Sequence, residues 1–229
     1  MNKEEALNSR GGPQIIPRPT KWHLGEPSPW SHLSNKTLTI EKIKQAVEKY
    51  EPVAVQKDLL EEYTQEAGVL VALYEERNSL QIILTRRSPH LSTHAHQVSF
   101  PGGHHEKVDK DLWSTALREA HEETGLDPSL PQKIGELDPI VTVGSGTLIY
   151  PFVALLPHRP ELKANSAEVE TIRHVDLAEL LKEETWREEY WEREERSHAV
   201  TFFEIPNETI WGATANILRQ LLTLGLGIV

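Results

Sequence analysis

Three glutamates stand close together in the segment from Arg118 to Leu126. On a helix at roughly 100° per residue, with Leu112 at zero, Glu119, Glu122 and Glu123 fall at about 340°, 280° and 20°, so they point the same way. One interpretation is a solvated acidic face, since like-charge neighbours cost only about 0.2–0.5 kcal/mol per pair. The other is a hard-cation site. Oxygen ligands suit Mg²⁺ or Mn²⁺, because magnesium commonly takes one or two carboxylates plus substrate phosphates and waters.

A helix over residues 112–124 is needed to present these carboxylates. Asp111 is a suitable N-cap, and Gly125 is a suitable residue to end the helix. An apolar arc predicts the buried face of the helix, and its members are Trp113, Ala116, Leu117, Ala120 and Thr124. Glu123 lies at the shoulder of that arc, where we expect water to be partly excluded.

The rest of the pattern predicts a mixed sheet around this helix. Alternating or continuous apolar residues predict strands over residues 69–74, 80–85, 97–100, 133–137, 149–156 and 198–203. Further helices are predicted over residues 40–50, 176–181 and 209–224. Because strands outnumber helices and do not alternate regularly with them, we expect an α/β domain with a mixed sheet rather than a doubly wound fold.

We divide the chain into three parts. Residues 1–36 form a Pro- and Gly-rich tail, residues 37–66 a helix and connector, and residues 67–229 the globular domain. Trp22 and Trp30 are large apolar residues that a solvent-exposed linker does not require, so we expect the tail to lie against the globular domain or a partner. The acidic, aromatic segment 183–196 favours a solvated hairpin or helix edge over a binding patch.

Composition excludes several classes of protein. The net charge of −11 disfavours a partner nucleic acid held by general electrostatics. Without cysteine, disulfide scaffolds, thiolate zinc sites and cysteine nucleophiles are excluded. The apolar runs are too short to span a bilayer and the first residues do not resemble a signal peptide, so we expect no membrane partner and a cytoplasmic location.

Gly102-Gly103, a loop and residues 118–126 resemble the Nudix box, G-x5-E-x7-R-E-U-x-E-E-x-G-U, in which U is apolar. The second half fits at every fixed position. In the first half, Arg118 follows Gly103 by 15 residues, one more than in the standard box. Counting forward from Gly103 places Asp109 at the early Glu position, whereas counting back from Arg118 places Lys110 there.

The upstream segment resembles the coenzyme A pyrophosphatase branch of the Nudix hydrolases. The signature of that branch is roughly L-L-T-x-R-S-x3-R-x3-G-x3-F-P-G-G, and residues 83–88 and 100–103 match it. Two positions depart from the signature: Ser92 replaces an Arg and His96 replaces a Gly.

The resemblance implies a Nudix-like α/β/α sandwich around a mixed sheet, to which the helix at residues 40–50 adds an N-terminal extension. It implies metal-dependent hydrolysis of a nucleoside diphosphate linked to another moiety. The branch implies coenzyme A or acyl-coenzyme A as substrate, cleaved to adenosine 3′,5′-bisphosphate and the (acyl-)4′-phosphopantetheine. A small-molecule nucleotide is therefore the expected partner, and homodimers are common in the family.

The resemblance also implies a function for each matching residue. Glu119 and Glu123 are the implied principal metal ligands, with Glu122 as a third ligand or acting through water, and Gly102 supplies a backbone carbonyl. Arg118 is expected to orient a box carboxylate. For the general base, Glu122 is the first choice and Glu168 the alternative.

Arg86 and Arg87 end the strand that leads towards the box. Both are candidate substrate-binding residues, but strand alternation allows only one of them to face a phosphate and leaves the other an ordinary surface arginine. The signature favours Arg87 as the one that binds and Arg86 as the surface residue.

Other interpretations stay open. The substrate could instead be ADP-ribose, another ADP-sugar or a dinucleotide, or the domain could be a non-catalytic nucleotide-binding regulator. A zinc site is a further hypothesis, based on the histidines His90, His94, His96, His104 and His105. Trp211-Gly212 is compatible with an adenine-stacking platform, although packing is the commoner use of such a pair.

Overall fold

The computed structural model describes residues 10–55, 65–91, 95–142, 146–193 and 196–228. In chain order, its strands are β1 (Trp22–Leu24), β2 (Gln65–Glu76), β3 (Ser79–Arg87), β4 (Val98–Ser99), β5 (Gly102–His104), β6 (Gln132–Glu136), β7 (Ile140–Val141), β8 (Thr147–Leu155), β9 (Val169–Asp176), β10 (Trp186–Arg193), β11 (Arg196–Ile205) and β12 (Glu208–Trp211). The helices are α1 (Ile40–Lys49), α2 (Leu112–Thr124), α3 (Leu177–Leu180) and α4 (Gly212–Leu226), with one 3₁₀ turn at Glu183–Thr185.

The main sheet is mixed, as predicted. Its order is β4-β3-β2-β8-β6, and β5, β7 and β9 pair with β2, β8 and β3 respectively. The central strands β2 and β8 run parallel to each other, while β3 and β5 run antiparallel to β2. Because β5 pairs with β2, it brings Gly102 and Gly103 to the centre of the sheet, opposite Val69 and Gly68.

Strand β2 has two apolar faces, as a central strand between two helical layers should. On one face, Leu70, Ala72 and Tyr74 pack with apolar residues of α2. On the other, Val71 and Leu73 belong to a larger core that includes buried residues of α1 and α4. This confirms the α/β/α sandwich.

A second, four-stranded antiparallel sheet, of order β1-β10-β11-β12, was not predicted as a unit. The acidic segment supplies β10, which forms a hairpin with β11. The tail supplies β1, which pairs with β10. Trp30 is fully buried against Trp186 and Phe203. Residues 10–36 therefore lie against the globular domain, as expected from Trp22 and Trp30.

Some elements differ from the predictions. Strand β9 was missed because its sequence mixes charged and apolar residues without a strong apolar face. The last helix begins at Gly212 rather than at residue 209, because Thr209 to Trp211 pair with β11. The predicted start of the globular domain at residue 67 falls inside β2, which begins at Gln65.

Among the described residues, no helix is long and apolar enough to cross a membrane.

Candidate active site

Helix α2 is held at both ends by the residues predicted to cap it. The Asp111 side chain accepts a hydrogen bond from the Ser114 amide, and the Ser114 side chain accepts one from the Asp111 amide, which is a capping box. Gly125 ends the helix with φ +69°, in the left-handed region. The helix lies close to β2 because residue 68 is glycine: a Cβ there would lie 2.3 Å from the Leu112 carbonyl oxygen.

Glu123 is the buried carboxylate of the site. Its side chain lies next to the diglycine turn, with 3% of its surface exposed, and its Oε2 accepts a hydrogen bond from the Gly102 amide at 3.3 Å. Burial raises the pKa of Glu123 to about 8; the Gly102 amide and Arg87 oppose this rise, and Glu119 and Glu168 add to it. A cation next to Glu123 would relieve both the burial of its charge and the repulsion.

Glu119 lies one turn earlier on the same face. Its carboxylate packs against Gly103, where a Cβ would lie 2.5 Å from the Glu119 Cδ, so a larger residue there would displace the carboxylate. Burial raises the pKa of Glu119; nearby Arg118 opposes the rise, and Glu122 and Glu168 reinforce it. Glu123 is buried and Glu119 is partly exposed beneath Gly102-Gly103. We call them the anionic pair, because both are negatively charged when a cation is bound.

Arg118 contacts carboxylates on both sides. Its Nε and Nη2 donate to the two oxygens of Asp109, at 2.8 and 3.1 Å. Its Nη1 lies 2.9 Å from Glu119 Oε1 and 3.1 Å from Glu122 Oε2. The pKa of the Asp109 carboxyl falls well below its usual range, chiefly because of the bonds from Arg118. These contacts agree with the expected orienting function of Arg118.

The Asp109 contacts also decide the alignment of the lengthened loop. Asp109 is the acidic partner of Arg118, whereas Lys110 is exposed. The extra residue of the loop therefore lies after the early acidic position, so counting forward from Gly103 gives the correct alignment.

The two candidate general bases lie on different elements. Glu122 has 52% of its side chain exposed and binds Arg118. Glu168 is exposed on the turn before β9, where its carbonyl accepts from the Ser88 amide at 2.7 Å. Glu168 nevertheless raises the pKa values of Glu119 and Glu123 by its charge, so it lies near the same site.

The carboxylates of the site suit a divalent cation, but they do not form a complete coordination shell. Within the described ranges, no three His, Asp or Glu side chains converge closely enough to hold a metal ion. The fit comes instead from the anionic pair, with the exposed carboxylate of Glu122 on the same helix. For Gly102, the structure shows an amide contact to Glu123, and the carbonyl contact stays a prediction.

The adjacent arginines face opposite sides of β3. Arg87 is close enough to Glu123 to lower the pKa of that carboxyl, and its buried Nε has no hydrogen-bond partner among the described residues. Arg86 instead donates to Glu170 at 2.9 and 3.0 Å and to Glu208 at 2.8 Å. The expectation that Arg86 is an ordinary surface arginine was wrong, because its partner Glu208 is fully buried.

The described histidines do not belong to any group of side chains that could hold a metal ion. His105 contacts Thr115 at 2.9 Å, and His96 contacts Glu170 at 3.2 Å. His96 has φ +61°, which explains why a glycine suits this position of the coenzyme A signature. Ser92 and His94 lie outside the described residues.

Trp211 packs within the second sheet. It stacks on Phe202 with ring centroids 6.4 Å apart and lies 6.1 Å from the ring of Trp191. These contacts favour packing over the adenine-stacking platform.

Sequence reasoning missed the buried acceptor Glu208 and the tail residue Gln14, which binds it. No local pattern marks either residue, because their contacts join positions that are nearly 200 residues apart in the chain.

Comparison with known proteins gives consistent matches. The sequence profile of the NUDIX domain matches residues 64–195. The chain is 41% identical over 140 residues to the uncharacterized Nudix hydrolase NudL of Photorhabdus laumondii subsp. laumondii, covering 61% of this chain and 74% of that protein. It is 40% identical over 165 residues to the chloroplastic Nudix hydrolase 22 of Arabidopsis thaliana, covering 69% of this chain and 54% of that protein. The chain thus spans about half the length of the plant relative.

Among solved structures, the chain is similar to the NUDIX domain of Shewanella oneidensis NrtR complexed with ADP ribose. The identity is 19%, the match covers 60% of this chain and 84% of that one, and the TM-score is 0.43.

Proposed function

This chain belongs to the NUDIX domain family and is a Nudix hydrolase, and we propose that it hydrolyses the pyrophosphate bond of coenzyme A or acyl-coenzyme A with Mg²⁺ or Mn²⁺. The observation that carries the proposal is the anionic pair Glu119 and Glu123. It lies beneath Gly102-Gly103 with raised pKa values, and the unpaired Nε of Arg87 lies near it. Nudix hydrolases generally use divalent metal ions, which matches the charge of this pair.

Each residue has a defined function in the proposed reaction. Glu119 and Glu123 hold the divalent cation, and Glu122 completes the set directly or through water. When bound, such a cation polarises the pyrophosphate and lowers the pKa of water. Arg118, fixed by Asp109, holds Glu119 and Glu122 in place. Arg87 donates to a phosphate oxygen, since its guanidinium is close enough to the site to lower the pKa of Glu123 by its charge.

The bond that breaks is the phosphoanhydride. Water adds to one phosphorus and the bridging oxygen leaves with the other, which gives adenosine 3′,5′-bisphosphate and the (acyl-)4′-phosphopantetheine. Glu122 accepts the proton of the attacking water. Glu168 is the alternative base, because its charge reaches both Glu119 and Glu123.

The choice of coenzyme A is supported by residues 83–88 and 100–103, which place Arg87 and the diglycine turn as in the signature. The position of His96 adds support, because its left-handed backbone favours glycine, which is the residue that the signature has at this position.

A substrate panel tests the proposal. The purified full chain is incubated with coenzyme A, acetyl-coenzyme A, ADP-ribose and diadenosine tetraphosphate, each with Mg²⁺ and with Mn²⁺, and the products are identified by mass. We expect adenosine 3′,5′-bisphosphate from coenzyme A and almost none with the Glu123→Gln variant. Faster cleavage of ADP-ribose would move the assignment to ADP-sugars. Nucleotide binding without turnover in any reaction would favour a regulatory domain.

The same assay separates the two candidate bases. If Glu122 is the base, Glu122→Gln lowers kcat by about 10²–10⁴-fold, and Glu168→Gln has a much smaller effect. The reverse order would assign the base to Glu168.

A further inference from the structure

Gln14 lies in the N-terminal segment, yet its side chain is buried next to Arg86 and the loop that follows β3. Its Nε2 donates to Glu208 Oε2 at 2.8 Å and to the His96 carbonyl at 2.9 Å. Its Oε1 accepts from the Thr209 amide at 2.8 Å. One side chain from the tail thus joins β12 to the loop before β4.

Glu208 connects Gln14 to Arg86. The carboxylate is completely buried, and a buried charge must be paired and hydrogen-bonded. Its second oxygen accepts from Arg86 Nη1 at 2.8 Å and from Arg173 Nε at 2.7 Å. The amide of Gln14 therefore completes the set of donors around the carboxylate that fixes Arg86.

Arg87 lies between the two points that Gln14 holds. On one side, Arg86 is fixed through Glu208. On the other, the His96 amide donates to the Arg87 carbonyl at 3.2 Å, and the Arg87 amide donates to the Gln97 carbonyl at 2.9 Å. Gln14 binds the carbonyl of the same His96, so the backbone of Arg87 is restrained from both directions.

The hydrogen bond from Gln14 also restrains the backbone conformation of His96. With φ +61°, His96 adopts a backbone that residues other than glycine rarely adopt. The anchored carbonyl holds it there. The contact also needs a glycine in the tail, since a Cβ at Gly12 would lie 2.3 Å from Gln14 Oε1.

We propose that Gln14 is a positioning residue for the substrate reaction: it keeps Arg87 aimed at the site of Glu119 and Glu123. The N-terminal segment thereby contributes to substrate binding without touching the substrate. This inference rests on the proposed function, in which Arg87 binds a phosphate.

Gln14→Met tests the proposal, because methionine nearly preserves the shape of glutamine and removes all three hydrogen bonds. The matched control is Gln220→Met. Gln220 also bonds through both ends of its amide, to Tyr50 at 3.0 Å and to the Asp138 amide at 3.1 Å, on α4. With coenzyme A, or with ADP-ribose if that is cleaved faster, we expect Gln14→Met to raise KM about tenfold, or about 1.4 kcal/mol. We expect kcat to change less than about threefold, and Gln220→Met to leave KM unchanged.

A double-mutant cycle with Arg87→Ala separates positioning from general destabilisation. If Gln14 acts through Arg87, Gln14→Met raises KM no further once Arg87 is alanine. Additive effects on KM, a loss confined to kcat, or equal effects of the two methionine variants would overturn the proposal.

Hydrogen exchange tests the same inference independently of activity. We expect the amides of Arg87 and His96 to exchange about tenfold faster in Gln14→Met than in the wild type, and not in Gln220→Met. Unchanged exchange would overturn the proposal. If the panel shows no turnover, the proposed function fails, and exchange still decides whether Gln14 fixes Arg87.

Discussion

Glu123 is a residue at which burial and charge conflict. Its pKa in the folded protein is about 8, against an ordinary value of 4.5. Below about pH 4.5 the carboxyl is protonated in both the folded and unfolded states; above about pH 8 it is ionised in both, and the fold must hold a buried charge. The free energy of unfolding of the metal-free protein should therefore fall as pH rises from about 4.5 to about 8, by at most about 5 kcal/mol from this group.

The Glu123→Gln variant isolates this effect. In EDTA, we expect it to be more stable than the wild type at pH 8.5 and to lose this advantage near pH 4.5, as measured by urea unfolding. The exposed Glu122→Gln variant is the control and should follow the wild type. Added Mg²⁺ should restore stability to the wild type at pH 8.5 and not to Glu123→Gln. A difference between wild type and Glu123→Gln that does not vary with pH would contradict the prediction.

Asp109 decides how the box carboxylates are held. The Asp109→Asn change removes the charge that pairs with Arg118, so the guanidinium is no longer fixed in its contacts with Glu119 and Glu122. We expect kcat for the best panel substrate to fall at least about tenfold, and stability to fall by about 1–3 kcal/mol. Lys110→Ala, next in sequence and exposed, should leave both unchanged. Equal effects of the two substitutions on kcat and thermal unfolding would contradict the alignment of the loop.

At the scale of elements, the helices and strands that were predicted well are those whose own residues supply helix caps or a regular apolar pattern. Helix α2 begins and ends as predicted because Asp111 and Gly125 are caps that the sequence shows directly. Strands β2 and β3 were found because their apolar residues are continuous or alternate. Strand β9 lacks such a pattern, since its pairing with β3 rather than its composition makes it a strand.

In the candidate site too, some features could be predicted from local sequence and others depend on distant contacts. The carboxylates of α2 follow from helical spacing, so their shared face could be predicted, and Glu123 is indeed the buried member at the shoulder of the apolar arc. The burial of Arg86 could not be predicted, because it depends on Glu208, which lies 122 residues away in sequence. Sequence spacing identifies the side chains that are candidates for binding metal or substrate. Tertiary contacts decide which of these side chains are already occupied by other residues of the protein.

At the scale of the whole molecule, the tail is part of the fold. Arg10 bonds to Glu179 and Thr185 at 2.8 Å each, and Arg18 forms two bonds with the buried carboxylate of Glu189. Loss of Arg18 would leave the buried Glu189 carboxylate with only Arg187 and Trp191 as donors, which destabilises a buried charge. The tail therefore supports the second sheet, whose strand β12 carries Glu208.

Trp30 provides the test of that conclusion. It is fully buried among Trp186 and Phe203, and its indole donates to the Leu181 carbonyl at 3.1 Å. We expect Trp30→Ala to lower the free energy of unfolding by about 3–5 kcal/mol, as for other large buried aromatic residues. Trp22→Ala is the matched control in the same tail: that side chain is 40% exposed, so its loss should cost far less. If both variants unfolded at the same urea concentration as the wild type, the tail would contribute little to the stability of the fold, and the two sheets would be independent of it.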